Sequence, residues 1–223
     1  MFKKLVLLSK KAHKELSFAK DEKLEFAKDL KLIPLGLDEV LDFTGLLPVI
    51  IKDNEFVVVS GLPWTDSVFY NNENIFLKTP LILQAYPFLM VNAKEGDKNV
   101  KAVGIDEEAL KDGIKIFNDN DLSEISKQKI KIAELFDKEK EKVKLLIQDL
   151  KKYDLLEKRN FEVKLEEKSK PLLSDFYVVN REKLLKLDQE ILDKWLKNGV
   201  LFLLESHMNS IKKITNLFKL PKK

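Results

Sequence analysis

The chain has 223 residues, 44% hydrophobic and 35% charged, with a formal net charge of +3. That suffices for one sizeable core, and charges of mixed sign fit solvated helix faces rather than disorder. The near-neutral balance excludes a global field drawing the protein onto nucleic acid or an anionic membrane, and the lack of cysteine excludes disulfides, thiolate nucleophiles and thiolate metal sites.

The opening run Leu5–Leu8 reads as a short strand. Lys10, Lys11 and Lys14 end it well before the roughly 7–15 apolar residues of a secretory core. Residues Leu37 to Phe43 suit one or two helical turns. Pro48–Ile51 and Phe56–Val59 are β-branched and aromatic runs around Lys52-Asp53-Asn54-Glu55, which predicts a hairpin with a turn slightly longer than the tightest kind. Gly61 and Pro63 punctuate its end.

Leu81 to Val91 has strand composition, and Pro87 inside it predicts an edge strand or a bulge. A polar loop at Lys94–Asp97 leads to another short strand, Val100–Ile105, and such short links predict antiparallel pairing. From Asp121 the period becomes helical. Asp121 and Glu124 have capping-box spacing. Ile125, Ile132, Phe136, Val143, Ile147 and Leu150 fall on one face of a helix of about thirty residues, ending near Lys152.

Phe161–Leu165 and Asp175–Val179 predict a two-stranded return with Ser169-Lys170-Pro171 in the link. Asn180 and Asp188 are N-cap candidates, and Gly199 suits the position just past a helix end. A last helix is predicted from Val200 to Phe218, with Leu204, His207 or Met208, Ile211, Ile214 and Phe218 as its apolar stripe. The expected fold is α+β. An antiparallel sheet in the N-terminal half carries a long amphipathic helix and C-terminal helices, and residues 1–223 form a single domain without internal repeats.

Motifs for chemistry are sparse. His13 and His207 are the only histidines. His13 sits among lysines and is expected to be exposed. His207 lies on the apolar stripe beside Ser206 and near Ser210, where it is either a base or binding contact, or a buried ring held by a neighbouring loop. Asn118–Asp121 resembles the start of a calcium loop, but Glu124 and Ile130 occupy the positions that need glycine and a bidentate glutamate, so a turn is expected. Asp106-Glu107-Glu108 and Glu166-Glu167 are expected to be surface charge. With seven glycines and no phosphate-cradle, dinucleotide or nucleophile-elbow motif, no metal and no cofactor are expected.

Trp64, Phe69, Tyr70, Phe76, Tyr86 and Phe88 gather in one stretch and are expected to pack the sheet, unless several surface together as a binding patch. Arg159 and Arg181 are the only arginines, which counts against bidentate base readout of nucleic acid. No run reaches the roughly 18–20 apolar residues of a membrane span, so a cytoplasmic protein is expected.

Toward the end of the chain, Phe176-Tyr177-Val178-Val179-Asn180, Leu184, Leu187-Asp188, Leu196, Gly199 and Leu203 through Ser210 resemble the close of the bacterial SapC family, a pattern whose last elements are a histidine and a following serine. The resemblance runs backward in order. Tyr86-Pro87-Phe88 is similar to the family's R-R-Y-P-F core, with Gln84 and Ala85 in place of the basic pair. Val103–Asp106, Ile116–Asn118, Pro48-Val49-Ile50, Phe26–Asp29 with Pro34-Leu35, and Ala12–Leu16 follow the same order.

The family is associated with bacterial surface layers and sits among components of surface-layer protein export. The resemblance therefore implies a non-enzymatic accessory protein that binds a surface-layer or exported protein, or its export machinery. Tyr86, Pro87, Phe88, Glu205, His207 and Ser210 are its candidate binding residues. The alternative is an enzyme that modifies such proteins, with His207 in a cleft.

Overall fold

A computed structural model describes residues 1–20, 23–70, 78–96, 98–165 and 168–221. Its elements in the first half are β1 (Leu5–Leu7), α1 (Lys10–His13), β2 (Ser17–Phe18), β3 (Leu32–Pro34), α2 (Val40–Thr44), β4 (Val49–Lys52), β5 (Glu55–Val59), α3 (Leu81–Ala85), β6 (Phe88–Glu95) and β7 (Lys98–Asp106). In the second half come β8 (Ile114–Lys115), β9 (Phe117–Asn118), β10 (Asp121–Leu122), α4 (Glu124–Lys152), β11 (Leu156–Leu165), β12 (Lys168–Val179), α5 (Arg181–Leu184), α6 (Gln189–Lys197), α7 (Val200–Ser210) and α8 (Ile214–Leu217).

The fold is α+β, and every described strand pair is antiparallel. Its largest sheet has the order β11-β12-β4-β5-β3, so it joins the N-terminal hairpin to two strands from the other end of the chain. A second sheet has the order β1-β7-β6. The β4–β5 turn is tighter than expected. Lys52 pairs with Glu55, which leaves only Asp53 and Asn54 in the loop, at φ 51° and 63°. Asp and Asn tolerate that left-handed conformation because their short side chains can hydrogen-bond locally.

Between Leu81 and Val91 the strand composition misleads. Leu81–Ala85 is a helix, Tyr86–Pro87 is a cis peptide, and the strand begins only at Phe88. The proline thus separates two elements, and β6 does lie at a sheet edge. Ile82, Leu83 and Ala85 are buried, so tertiary packing overrides local preference there.

Helix α4 is capped by Ser123 rather than Asp121. The Ser123 hydroxyl accepts from Ser126 N at 3.2 Å, whereas Asp121 pairs with Lys127 at 2.8 Å. Its buried face runs through Ile130, Ala133, Phe136, Val143, Leu146, Ile147 and Leu150, and Ile125 is exposed. This helix serves two hydrophobic cores. Ile130 and Ala133 join Phe18, Phe88, Ile105 and Ile116 in a smaller one, while Phe136 through Leu150 join Phe43, Phe56, Val58 and Phe176 in a larger one.

The predicted two-stranded return is longer than expected. Ser169, Lys170 and Pro171 lie within β12, paired with Lys164, Val163 and Glu162. Glu166 and Glu167, which were expected to be surface charge, lie outside the described residues. Gly199 ends α6 at φ 78° and starts α7. The closing helix is broken: a 3-10 turn at Ile211–Lys213 separates α7 from α8, and Phe218 is 48% exposed rather than part of the buried stripe.

Two buried glutamates tie α4 and α3 to the chain before α2. Glu39 accepts from Gly36 N at 2.8 Å and from Leu81 N at 2.7 Å, the latter at the start of α3. Burial pushes its carboxyl up to about 7. Glu139 of α4 accepts from Asp38 N at 3.0 Å and from Lys142 Nζ at 2.5 Å. A Cβ at Gly36 would stand 2.6 Å from Glu139 Cβ, so only glycine permits this approach.

Candidate functional site

Helix α3 ends at the aromatic core of the Tyr86-Pro87-Phe88 segment. Phe88 is fully buried and meets Phe18 edge-on at 5.6 Å, so it belongs to the smaller core. Tyr86 and Pro87 instead line a cleft of about 630 Å³. That size suits a small molecule or a few side chains of a bound peptide. Phe18, Phe26, Leu83 and Ile114 complete its apolar floor. Lys3, Lys20, Lys111 and Lys129 line it together with Glu25 and Glu108.

Tyr86 is held from several sides. Its ring stacks on Phe26 at 3.9 Å and lies 5.5 Å from Phe2. Its hydroxyl donates to Asp106 Oδ2 at 3.2 Å. Asp106 is 0% exposed, contrary to the surface role expected for it, because it also accepts from Lys3 N at 3.1 Å, Lys4 N at 2.9 Å and Glu108 N at 3.3 Å. Such a set of donors compensates a buried carboxylate for its lost water. The signal was present in the sequence: Asp106 ends the apolar run Val103–Ile105 and directly precedes two glutamates, as a cap does. What could not be read was that the chain's first residues supply the other two donors.

The two positions that differ from the family core have different surroundings. Gln84 is exposed, and Ala85 is 1% exposed within the smaller core. A cation does reach this place from α4. Lys129 Nζ donates to the carbonyls of Gln84 and Tyr86, both at 2.8 Å.

The second candidate group lies elsewhere. Helix α7 packs on the larger core and places His207 and Ser210, three residues apart, on one face. His207 is 0% exposed. Its Nε2 accepts from Val179 N at 3.3 Å, and its ring meets Phe56 edge-on at 5.5 Å. Nδ1 has no hydrogen-bond partner of good geometry. Burial holds the imidazole down to about 4, opposed only by the Val49 backbone, so the ring is neutral near pH 7. The Ser210 hydroxyl accepts from Val49 N at 3.0 Å and faces the carbonyls of His207 at 2.6 Å and Val49 at 3.3 Å.

Glu205 points away from this pair and meets Arg181 at 3.2 Å. A base working in a cleft needs access that His207 lacks, and its ring lies against Phe56 of the larger core, whereas Tyr86 faces the cleft. His13 is likewise buried, at 3%, because its ring folds back on Ser9, with Nδ1 2.9 Å from the carbonyl and 3.1 Å from the amide.

The other aromatics do not converge on one surface. Phe69 is buried against Phe43, Tyr70 lies under Lys28, and Trp64 faces Phe218. Phe76 lies outside the described residues. Among the described residues no group of three or more His, Asp or Glu side chains could hold a metal ion, and no helix is long and apolar enough to cross a membrane.

No curated protein and no solved structure matches the chain. A family model described as SapC matches residues 8–217. That span takes in Tyr86 and the lining of its cleft apart from Met1 and Lys3, the shared helix α4 and the His207–Ser210 pair, and the chain therefore belongs to the SapC family.

Proposed function

We propose that this protein is a non-enzymatic accessory factor that binds a surface-layer or exported protein, or its export machinery, on the cytoplasmic side, and that residues 1–223 act as one unit. The observation that carries the reading is the cleft at Tyr86, with an apolar floor and four lysines against two glutamates. Such a lining suits an extended peptide segment that presents a bulky apolar side chain flanked by carboxylates. Membership of a family associated with bacterial surface layers supports the choice of partner. The span of α4 across both cores supports the single unit, since few linkers could separate them.

The reading is tested by affinity capture from the native bacterium with the wild-type chain and with Lys3→Glu/Lys111→Glu. Both side chains line the cleft and are exposed, so the double variant is expected to fold normally. Capture of an identified envelope or secreted protein by the wild type, reduced about tenfold or more by the charge reversal, is the expected result. Recovery of no such protein, or equal recovery by both chains, overturns it.

A further inference from the structure

Strands β4 and β12 are joined through a single residue pair, Tyr177 with Ile51. Continued by two residues, that register sets Val179 opposite Val49, yet the two are not paired. Their donors go instead to side chains of α7. Val179 N donates to His207 Nε2, and Val49 N donates to Ser210 Oγ. A helix thus supplies what the missing rungs of the ladder would have supplied. Buried backbone N–H groups need acceptors, and here they find them in two side chains spaced to share a helix face.

We propose that His207 and Ser210 form a polar latch that closes the seam between β4 and β12, and that the seam opens when the imidazole takes up a proton. The latch needs an unprotonated Nε2. Protonation turns that acceptor into a donor facing another donor, and Val179 N is left buried without a partner. The rest of the polar join is slight: one backbone pair and the Lys52 ammonium on the carbonyls of Ser174 at 2.9 Å and Asp175 at 3.4 Å, beside the apolar packing of Val49, Ile50 and Ile51 with Phe176, Val178 and Val179 in the larger core. The latch therefore closes the backbone at this end of the seam, while the larger core holds the β11–β12 hairpin to the other strands through Phe176, Val178 and Val179.

Several charges on the surrounding elements are engaged away from the ring. Glu205 of α7 pairs with Arg181 of α5, Lys52 of β4 reaches Ser174, Glu55 of β5 pairs with Lys140, and Asp42 of α2 pairs with Lys78. Lys158 of β11 pairs with Asp175 of β12. Helix α6 and the turn after α7 add Glu190, Asp193, Lys194, Lys197, Lys212 and Lys213, and the polar groups described at the ring itself are the Val179 amide and the Val49 backbone.

The test is amide hydrogen exchange on the full chain, read by NMR as protection factors at Val49 and Val179, together with the tautomer of His207. In the wild type at pH 7 the imidazole should carry its proton on Nδ1, and both amides should be protected. Ser210→Ala should lower protection at Val49 about tenfold and leave Val179 nearly unchanged. His207→Leu should lower Val179, and His207→Gln, whose amide oxygen can still accept, should recover part of the loss. Protection at Val179 in the wild type should fall as His207 titrates.

A proton on Nε2 at pH 7, or unchanged protection at Val49 in Ser210→Ala, overturns the proposal. So does Val179 protection that ignores the titration of His207. If His207→Leu does not fold, the tautomer, the acid titration and Ser210→Ala still decide.

Discussion

The larger core, around β4, β5 and β12, closes over its polar side chains, whereas the smaller core leaves Tyr86 at the edge of an open cleft. His207 and Ser210 are wholly buried and turned toward backbone amides. Tyr86 is half-buried, with one face on Phe26 and its hydroxyl on Asp106, and it still lines about 630 Å³ of accessible space. Both regions contain the residues by which the chain is recognised. Only one opens them to solvent. The difference teaches that a polar residue on an apolar stripe is best judged by what its lone pairs and protons face. Around His207 they face the chain itself, whereas at the cleft a floor of Phe18 and Ile114 from the smaller core and Phe26 and Leu83 from the larger meets solvent.

The strongest way to break this contrast is to empty the larger core beneath the latch. Phe56 is fully buried and carries the edge contact to His207. Phe56→Ala should cost about 3–5 kcal/mol in urea unfolding. A loss below about 1 kcal/mol would mean that the packing around His207 is loose and the contrast is misdrawn.

Acid should come next in size. His207 is held down to about 4 from an ordinary 6.5, so the folded state binds its proton less readily than the unfolded state does. The associated stability is present in full above about pH 6.5 and is lost as pH falls toward 4, an effect of about 3 kcal/mol. Urea midpoints across that range, compared between wild type and His207→Gln, measure it. Parallel curves would contradict it.

The junction between the regions should respond in the opposite sense. Glu39 clamps the start of α3, which leads to the cleft, and burial raises its carboxyl to about 7 from 4.5. The folded state therefore holds this proton more tightly, and the contribution is complete below about pH 4.5 and is lost as pH rises through 7, by about 3 kcal/mol. Glu39→Gln should flatten the decline between pH 5 and 8 and leave the acid limb from His207 in place. A decline that persists in Glu39→Gln assigns it to another group.

The smallest effect on stability should be at the cleft. Lys3→Glu/Lys111→Glu should change stability by less than about 0.5 kcal/mol, because both side chains are exposed. The same change should cost most of the partner binding, and that inversion is the sharpest form of the contrast. A large loss of stability would show that these lysines hold the fold and not a ligand.

Much was legible in the sequence wherever an interaction is local. The β4–β5 hairpin, the long period of α4, the glycine stop at Gly199 and the return strand all follow from patterns within a few residues, and the order of weak motifs was enough to suggest the family. Where sequence and structure differ, a competing contact decided. Leu81–Ala85 is helical because its apolar side chains enter two cores, and Ser123 replaces Asp121 as a cap because Asp121 is taken by a strand and by Lys127. Asp106 is buried because Lys3 and Lys4 fold back on it, whereas the His13 contact with Ser9 is local, within one helical turn.

By itself, then, the sequence determined the class of the fold, the family and the segments that carry its pattern, since periodicity and turn chemistry act over short distances. Tertiary structure alone decided which of those segments faces outward. Val179 and His207 stand 28 residues apart, Val49 and Ser210 161 apart, and Asp106 and Lys3 103 apart. Whether a histidine is a latch or a base, and a carboxylate a clasp or a surface charge, depends on partners that only chain closure brings within hydrogen-bond reach.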